Sequence, residues 1–153
     1  SWSVHEVLPL VVERQPDAGL VVLARGSAER SWLVDNPAVH LLPPESRAAE
    51  VFASSHVSVA PLFQGGGVRI KIPESLAVEC PVVATRIGAE GHELPGLTCT
   101  DDPEAFAEGC LEYLAPAESR EELRTKLRSA VEEHYGADRQ AGRLLELWAE
   151  LAS

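Results

Sequence analysis

Residues 64–74 read Gln64-Gly65-Gly66-Gly67-Val68-Arg69-Ile70-Lys71-Ile72-Pro73-Glu74, a run whose residue types and spacing could bind an anion next to a polyol. Three glycines let the backbone reach left-handed conformations and approach a ligand with no side chain in the way. The apolar spacing predicts a helix over residues 68–78 directly after them. The first turn of a helix carries unpaired N–H groups and a partial positive charge, which suits a pyrophosphate. Arg69 and Lys71 add cationic donors, and Glu74, about one turn past Lys71, can accept hydrogen bonds from sugar hydroxyls. Each residue also has a plainer role. A glycine run is often only a turn. Cations near a helix N-terminus are disfavoured by the dipole and commonly form a solvated face. Glu74 can pair with Lys71 or Arg69 on the helix surface.

The elements that must position these residues alternate. Val4, Val7, Leu8 and Val11 share one face of a first helix, and Pro16-Asp17-Ala18-Gly19 ends it. Leu20-Val21-Val22-Leu23 reads as a strand buried on both faces. A short helix near residues 28–33, a weaker strand Val39-His40-Leu41-Leu42 and an amphipathic segment over 45–53, with Ala49, Val51 and Phe52 apolar, come next. Val57-Ser58-Val59-Ala60-Pro61 is the strand that runs into the glycines. Pro81-Val82-Val83-Ala84-Thr85 is a further buried strand, and Leu97-Thr98-Cys99-Thr100 a short one. Asp101-Asp102-Pro103-Glu104 carries an acidic cap and a first-turn proline, and from there the chain reads as helix with breaks near Pro116 and Gly136. Strand–helix alternation predicts an α/β fold: a Rossmann-like, three-layer α/β/α domain with a parallel sheet. In such sheets ligands sit at the carboxyl ends of strands, which is where the glycine run falls.

Composition sets the bounds. The 153 residues suit one domain, and 45% hydrophobic with 24% charged residues is ordinary for a globular chain. A net charge of −11 argues against nucleic acid as a partner. Cys80, Cys99 and Cys110 have no zinc or CxxC spacing and suit a reduced cytoplasmic protein. No apolar run is long enough for a direct membrane span. His5, His40, His56, His92 and His134 are scattered. His92 alone follows a second glycine loop and could line a cleft. Trp2, Trp32 and Trp148 read as packing residues, Trp148 with Leu144, Leu145 and Leu151. The acidic run over 118–133 reads as a solvated helix face.

The block Gly65-Gly66-Gly67-Val68-Arg69-Ile70-Lys71-Ile72-Pro73-Glu74-Ser75-Leu76-Ala77, followed by Pro81-Val82-Val83-Ala84-Thr85 and Gly88-Ala89-Glu90-Gly91, resembles the C-terminal domain of retaining glycosyltransferases of the GT-B fold, family 4 (glycosyl transferases group 1). Val59-Ala60-Pro61-Leu62 is similar to the same family's preceding strand, and weaker patterning extends from Val4 to the C-terminus. The resemblance implies that Glu74 holds the donor ribose hydroxyls. It implies that the backbone at Gly66 and Gly67, with Gly65 beside them, faces the diphosphate and sugar, and that Gly88 and Ala89 form a second small-residue loop near the donor. Lys71 matches a lysine found in part of the family. Three positions depart from the pattern. Gly66 stands where a first glutamate commonly touches the transferred sugar. Glu79 stands where the helix commonly ends in glycine, a strained choice in a left-handed conformation. The basic pair that commonly neutralises the diphosphate has no match, Arg25 being a poor substitute.

The resemblance therefore implies binding of a UDP-, GDP- or ADP-linked sugar as donor substrate, with no further cofactor and no metal, and transfer to an acceptor with retention. The expected domain is residues 1–153, the donor-binding half, lacking its first strand and an N-terminal acceptor domain of the same parent chain. An isolated half is expected to be inactive, its catalytic residues are not assigned, and the parent is expected in the cytoplasm, free or at the membrane surface through the missing domain. Two other functions stay open: a noncatalytic assembly or regulatory module, motivated by Gly66, and half of a nucleotide-sugar epimerase.

Overall fold

A computed structural model describes residues 2–23, 35–43, 46–67, 69–114, 120–139, 141–142 and 148. The expected helix at 28–33, Arg25, Trp32, Val68, Pro116, Leu144, Leu145 and Leu151 lie outside the described residues. A π-helical turn, Ser3–Val7, leads into helix α1 (Leu8–Arg14). Strands β1 (Leu20–Leu23) and β2 (Val39–Leu42), helix α2 (Ala48–Ser54), strand β3 (Ser58–Ala60) and helix α3 (Lys71–Ala77) follow. Strands β4 (Val82–Ala84) and β5 (Leu97–Cys99) and helices α4 (Pro103–Leu114) and α5 (Arg120–Tyr135) complete the described elements. Every strand pair is parallel, as the alternation predicts.

Helices cover both faces of β4, giving the three layers. Val82 and Ala84 pack with Ile72, Leu76 and Leu127 of α3 and α5. Val83 packs instead with Val7, Val11, Phe106 and Cys110 of the α1 and α4 side. Successive strand residues point to opposite faces, so one unbroken apolar run serves both. All three β4 residues are almost fully buried. Each such valine stabilises the fold by roughly 1.5–3 kcal/mol. The first helix buries Val4, Val7, Leu8 and Val11 as its spacing requires. Helix α4 opens on its expected cap, the Asp102 carboxylate accepting the Ala105 N–H at 2.8 Å with Pro103 in the first turn. Among the described residues no helix is long and apolar enough to cross a membrane.

Three expectations change. The described strands form two sheets, β2–β1 and β3–β4–β5, and not one. Val21 is accordingly 40% exposed and β1 is not buried on both faces. The helix expected over 68–78 spans only Lys71–Ala77. Its end satisfies the carbonyls of a tight left-handed cap: Cys80 N–H donates to Ser75 and Glu79 N–H to Leu76, both at 3.0 Å. Trp148 is 71% exposed, so core packing is not its role. Trp2 does pack, edge-on against Phe63 and Phe106 with ring centroids 5.0 and 5.1 Å away.

Candidate functional site

The loops leaving the carboxyl ends of β3 and β4 are tied together before any ligand is considered. The Ala60 carbonyl accepts the N–H groups of Leu62 at 3.0 Å and Thr85 at 3.2 Å. Thr85 is buried, and its hydroxyl lies against the carbonyls of Leu62 and, at 3.4 Å, Ala60. The same oxygen accepts the Gly88 N–H at 3.2 Å, and the Thr85 carbonyl accepts the Ala89 N–H at 2.8 Å. A Cβ on Gly88 would stand 2.1 Å from the Ala60 carbonyl oxygen, closer than any side chain tolerates. Gly88 is therefore required by close approach of the second loop to the end of β3, and Gly88 and Ala89 are both buried.

Arg69 joins this assembly to the glycine loop. Its Nε donates to the Ile87 carbonyl at 3.2 Å, and its two Nη atoms donate to Gly65 at 2.8 Å and Gly66 at 3.4 Å. The guanidinium thus places three of its five donors on backbone carbonyls and clamps the two loops together. Gly65 and Gly67 have φ of 118° and 100°, conformations that side-chain-bearing residues rarely adopt. Residues 65–67 are exposed, and among the described residues their amides donate no hydrogen bond. Carbonyls engaged and amides free is an arrangement that receives an anion. A Cβ on Gly66 would meet nothing within 4 Å, so the place of the family's first glutamate is open space.

Lys71 and Glu74 pair at 2.6 Å on the exposed first turn of α3. The surface pairing considered from sequence is present, and such a pair contributes only about 0–0.5 kcal/mol. Helix α3 has seven residues and no side-chain cap, so its dipole adds little at the loop. Ser75 of α3 is fully buried, bonding Ser58 at 2.7 Å and the Cys80 carbonyl at 3.0 Å. This fixes the helix against β3.

His92 is 8% exposed, and its Nδ1 bonds the Tyr135 hydroxyl at 2.6 Å. Burial holds the imidazole below its ordinary pKa, with the Arg69 backbone opposing the shift. It lines an open depression with Arg86, Glu90 and Tyr135. Among the described residues no cluster of three or more His, Cys, Asp or Glu side chains could hold a metal ion. The structure thus brings Gly65, Gly66, Arg69, Gly88 and Ala89 together and leaves Lys71 and Glu74 on the adjoining turn. Sequence reading missed Thr85 and the clamping role of Arg69. A threonine ending the apolar run Pro81-Val82-Val83-Ala84 was the available signal for the first.

The family described as glycosyl transferases group 1 matches residues 1–116. An uncharacterized 44.6 kDa protein in the cps region of Klebsiella pneumoniae is 23% identical over 146 residues, covering 88% of this chain and 38% of that protein. This chain therefore spans well under half the length of that curated relative. With the family matched over most of its length and a parallel α/β core carrying the glycine loop, the chain belongs to the group 1 glycosyl transferases.

Proposed function

We propose that this chain is the donor-binding half of a glycosyltransferase, taking a nucleotide-diphosphate sugar for retaining transfer to an acceptor. One observation carries the reading: among the described residues the exposed amides of residues 65–67 donate no hydrogen bond, while Arg69 ties the Gly65 and Gly66 carbonyls to the Ile87 carbonyl of the second loop. Both loops leave carboxyl strand ends, the place where open parallel sheets bind ligands. The diphosphate lies on the glycine amides, and Glu74 exchanges Lys71 for the ribose hydroxyls. The transferred sugar lies toward Gly88 and Ala89. The acceptor comes from a separate N-terminal domain, and the free, buried Cys80 and Cys110 fit a reducing cytoplasm. Donor binding needs no metal.

Calorimetry with UDP, GDP, ADP and their sugars tests the reading. At least one nucleoside diphosphate binds, weakly, since one side of the cleft is expected to be supplied by the other domain. Chelator leaves the affinity unchanged. Failure of every nucleotide to bind at millimolar concentration would remove the donor-site assignment. The open space at Gly66 favours a second reading, a noncatalytic module on the same scaffold. That module gives the same negative result.

A further inference from the structure

One buried polar atom in the second loop has no use in the donor site as described so far. Among the described residues, His92 Nε2 is the buried side-chain nitrogen or oxygen that makes no hydrogen bond. The rest of the residue is held. Its N–H donates to the Ala89 carbonyl at 3.0 Å, and Nδ1 meets the Tyr135 hydroxyl at 2.6 Å, with ring centroids 5.9 Å apart. A buried ring nitrogen is unfavourable unless a polar group faces it.

The Arg69 backbone is that group. It favours the proton-bearing form of the ring, as a carbonyl facing a ring N–H does and an amide N–H would not. The sequence leaves this carbonyl short of a donor. In a continuous helix it would accept the N–H of residue 73, and residue 73 is proline. The Ile72 N–H reaches it at 3.0 Å, which leaves one of its two lone pairs open.

A ring nitrogen that donates to a carbonyl carries the proton. The other nitrogen of a neutral imidazole is then an acceptor, so the Tyr135 O–H donates to Nδ1. The ring thereby bridges three elements. His92 belongs to the second loop, Arg69 joins the glycine loop to α3, and Tyr135 ends α5, whose Leu127 packs on Ile72 and Leu76 of α3. The Arg69 guanidinium already ties Gly65 and Gly66 to Ile87. Its carbonyl is held from the same second loop, five residues further on.

We infer that His92 is a positioning residue of the donor loop: its Nε2–H donates to the Arg69 carbonyl, its Nδ1 accepts the Tyr135 O–H, and α5 thereby steadies the glycine loop through Arg69. The donor role of that loop is the one proposed above. The place of the ring proton and the order of the ligand-free loop do not depend on it.

The first test needs no substitution. Long-range nitrogen–proton correlation spectra of the isotope-labelled, ligand-free chain at neutral pH should show the His92 proton on Nε2 and none on Nδ1. A proton on Nδ1 overturns the proposal. The second test compares His92→Gln, whose amide reaches the place of Nε2, with His92→Asn, whose amide reaches only the place of Nδ1. His92→Asn should move the Gly65 and Gly66 amide signals and speed exchange of the Arg69 Nε proton, and His92→Gln should leave both near the parent. Nucleotide affinity by calorimetry should fall about two- to tenfold in His92→Asn and hold in His92→Gln. A merely structural histidine lowers the melting temperature in both variants and leaves the loop signals alike, and that result overturns the proposal. If the parent binds no nucleotide, the donor reading alone fails, and the ring proton and the ligand-free loop signals still decide the role of His92. If a variant does not fold, the ring proton of the parent decides it.

Discussion

At the scale of single residues, Glu74 separates a binding role from a surface one. A carboxylate accepting ribose hydroxyls makes charge-assisted bonds, whose removal costs roughly 1.5–3 kcal/mol, about a tenfold to hundredfold loss of affinity. Glu74→Ala should lose that much nucleotide affinity, and Glu74→Gln less, while both stay folded, because the side chain is exposed. If Glu74 serves only Lys71, calorimetry shows unchanged affinity and a stability change of about 0–0.5 kcal/mol. Glu79 tests local strain. Its φ is 64°, at the left-handed position where the helix cap is tied. A side chain there costs about 1 kcal/mol relative to glycine, and the exposed Glu79–Arg128 pair returns little of it. Glu79→Gly should raise the melting temperature by roughly 1–4 °C for a domain this size. A lower value in thermal denaturation would mean that the pair outweighs the strain.

At the scale of elements, the loop after β4 is coupled to α5 through His92 and Tyr135. Burial lowers the His92 pKa from 6.5, so the folded ring is held neutral. As pH falls, the unfolded chain takes up this proton first. The stability from His92 is complete above about 6.5 and is lost as pH drops from there through the folded-state pKa. Melting temperatures from about pH 7 to 5.5 should fall less steeply in His92→Gln than in the parent; equal slopes would exclude the coupling. Much of this level was legible in the chain. Pro81-Val82-Val83-Ala84 announced a strand buried on both faces, and Asp102-Pro103 announced a helix start, because each signal is local. The Arg69 clamp was not legible. It joins groups 18 residues apart and depends on how the Gly88 loop folds back onto Ala60. The split of the sheet was also hidden, since a buried and an edge strand share the same apolar run at Leu20–Leu23. Helix α3 starts late because Pro73 has no N–H to donate one turn back to the Arg69 carbonyl, so a helix holds it only in the first turn.

At the scale of the molecule, a net charge of −11 leaves no broad positive field, so the proposed donor site rests on the local geometry of neutral amides. In that proposal the clamped loops supply one wall of a cleft. A transition state held from two sides is not stabilised from one. The purified chain should therefore release no detectable sugar from a nucleotide sugar to an acceptor, by a coupled nucleotide-release assay. Turnover by this chain alone would contradict the half-site reading.

The most direct test of the donor site is a titration of the isotope-labelled chain with UDP, GDP and ADP, followed amide by amide in nitrogen–proton correlation spectra. The amides of Gly65, Gly66, Gly67, Gly88 and Ala89 should shift together with one saturating curve for at least one nucleotide, while those of α4 stay fixed. Shifts confined to other surfaces, or none at millimolar ligand, would contradict the assignment of the glycine loop as the seat of the diphosphate.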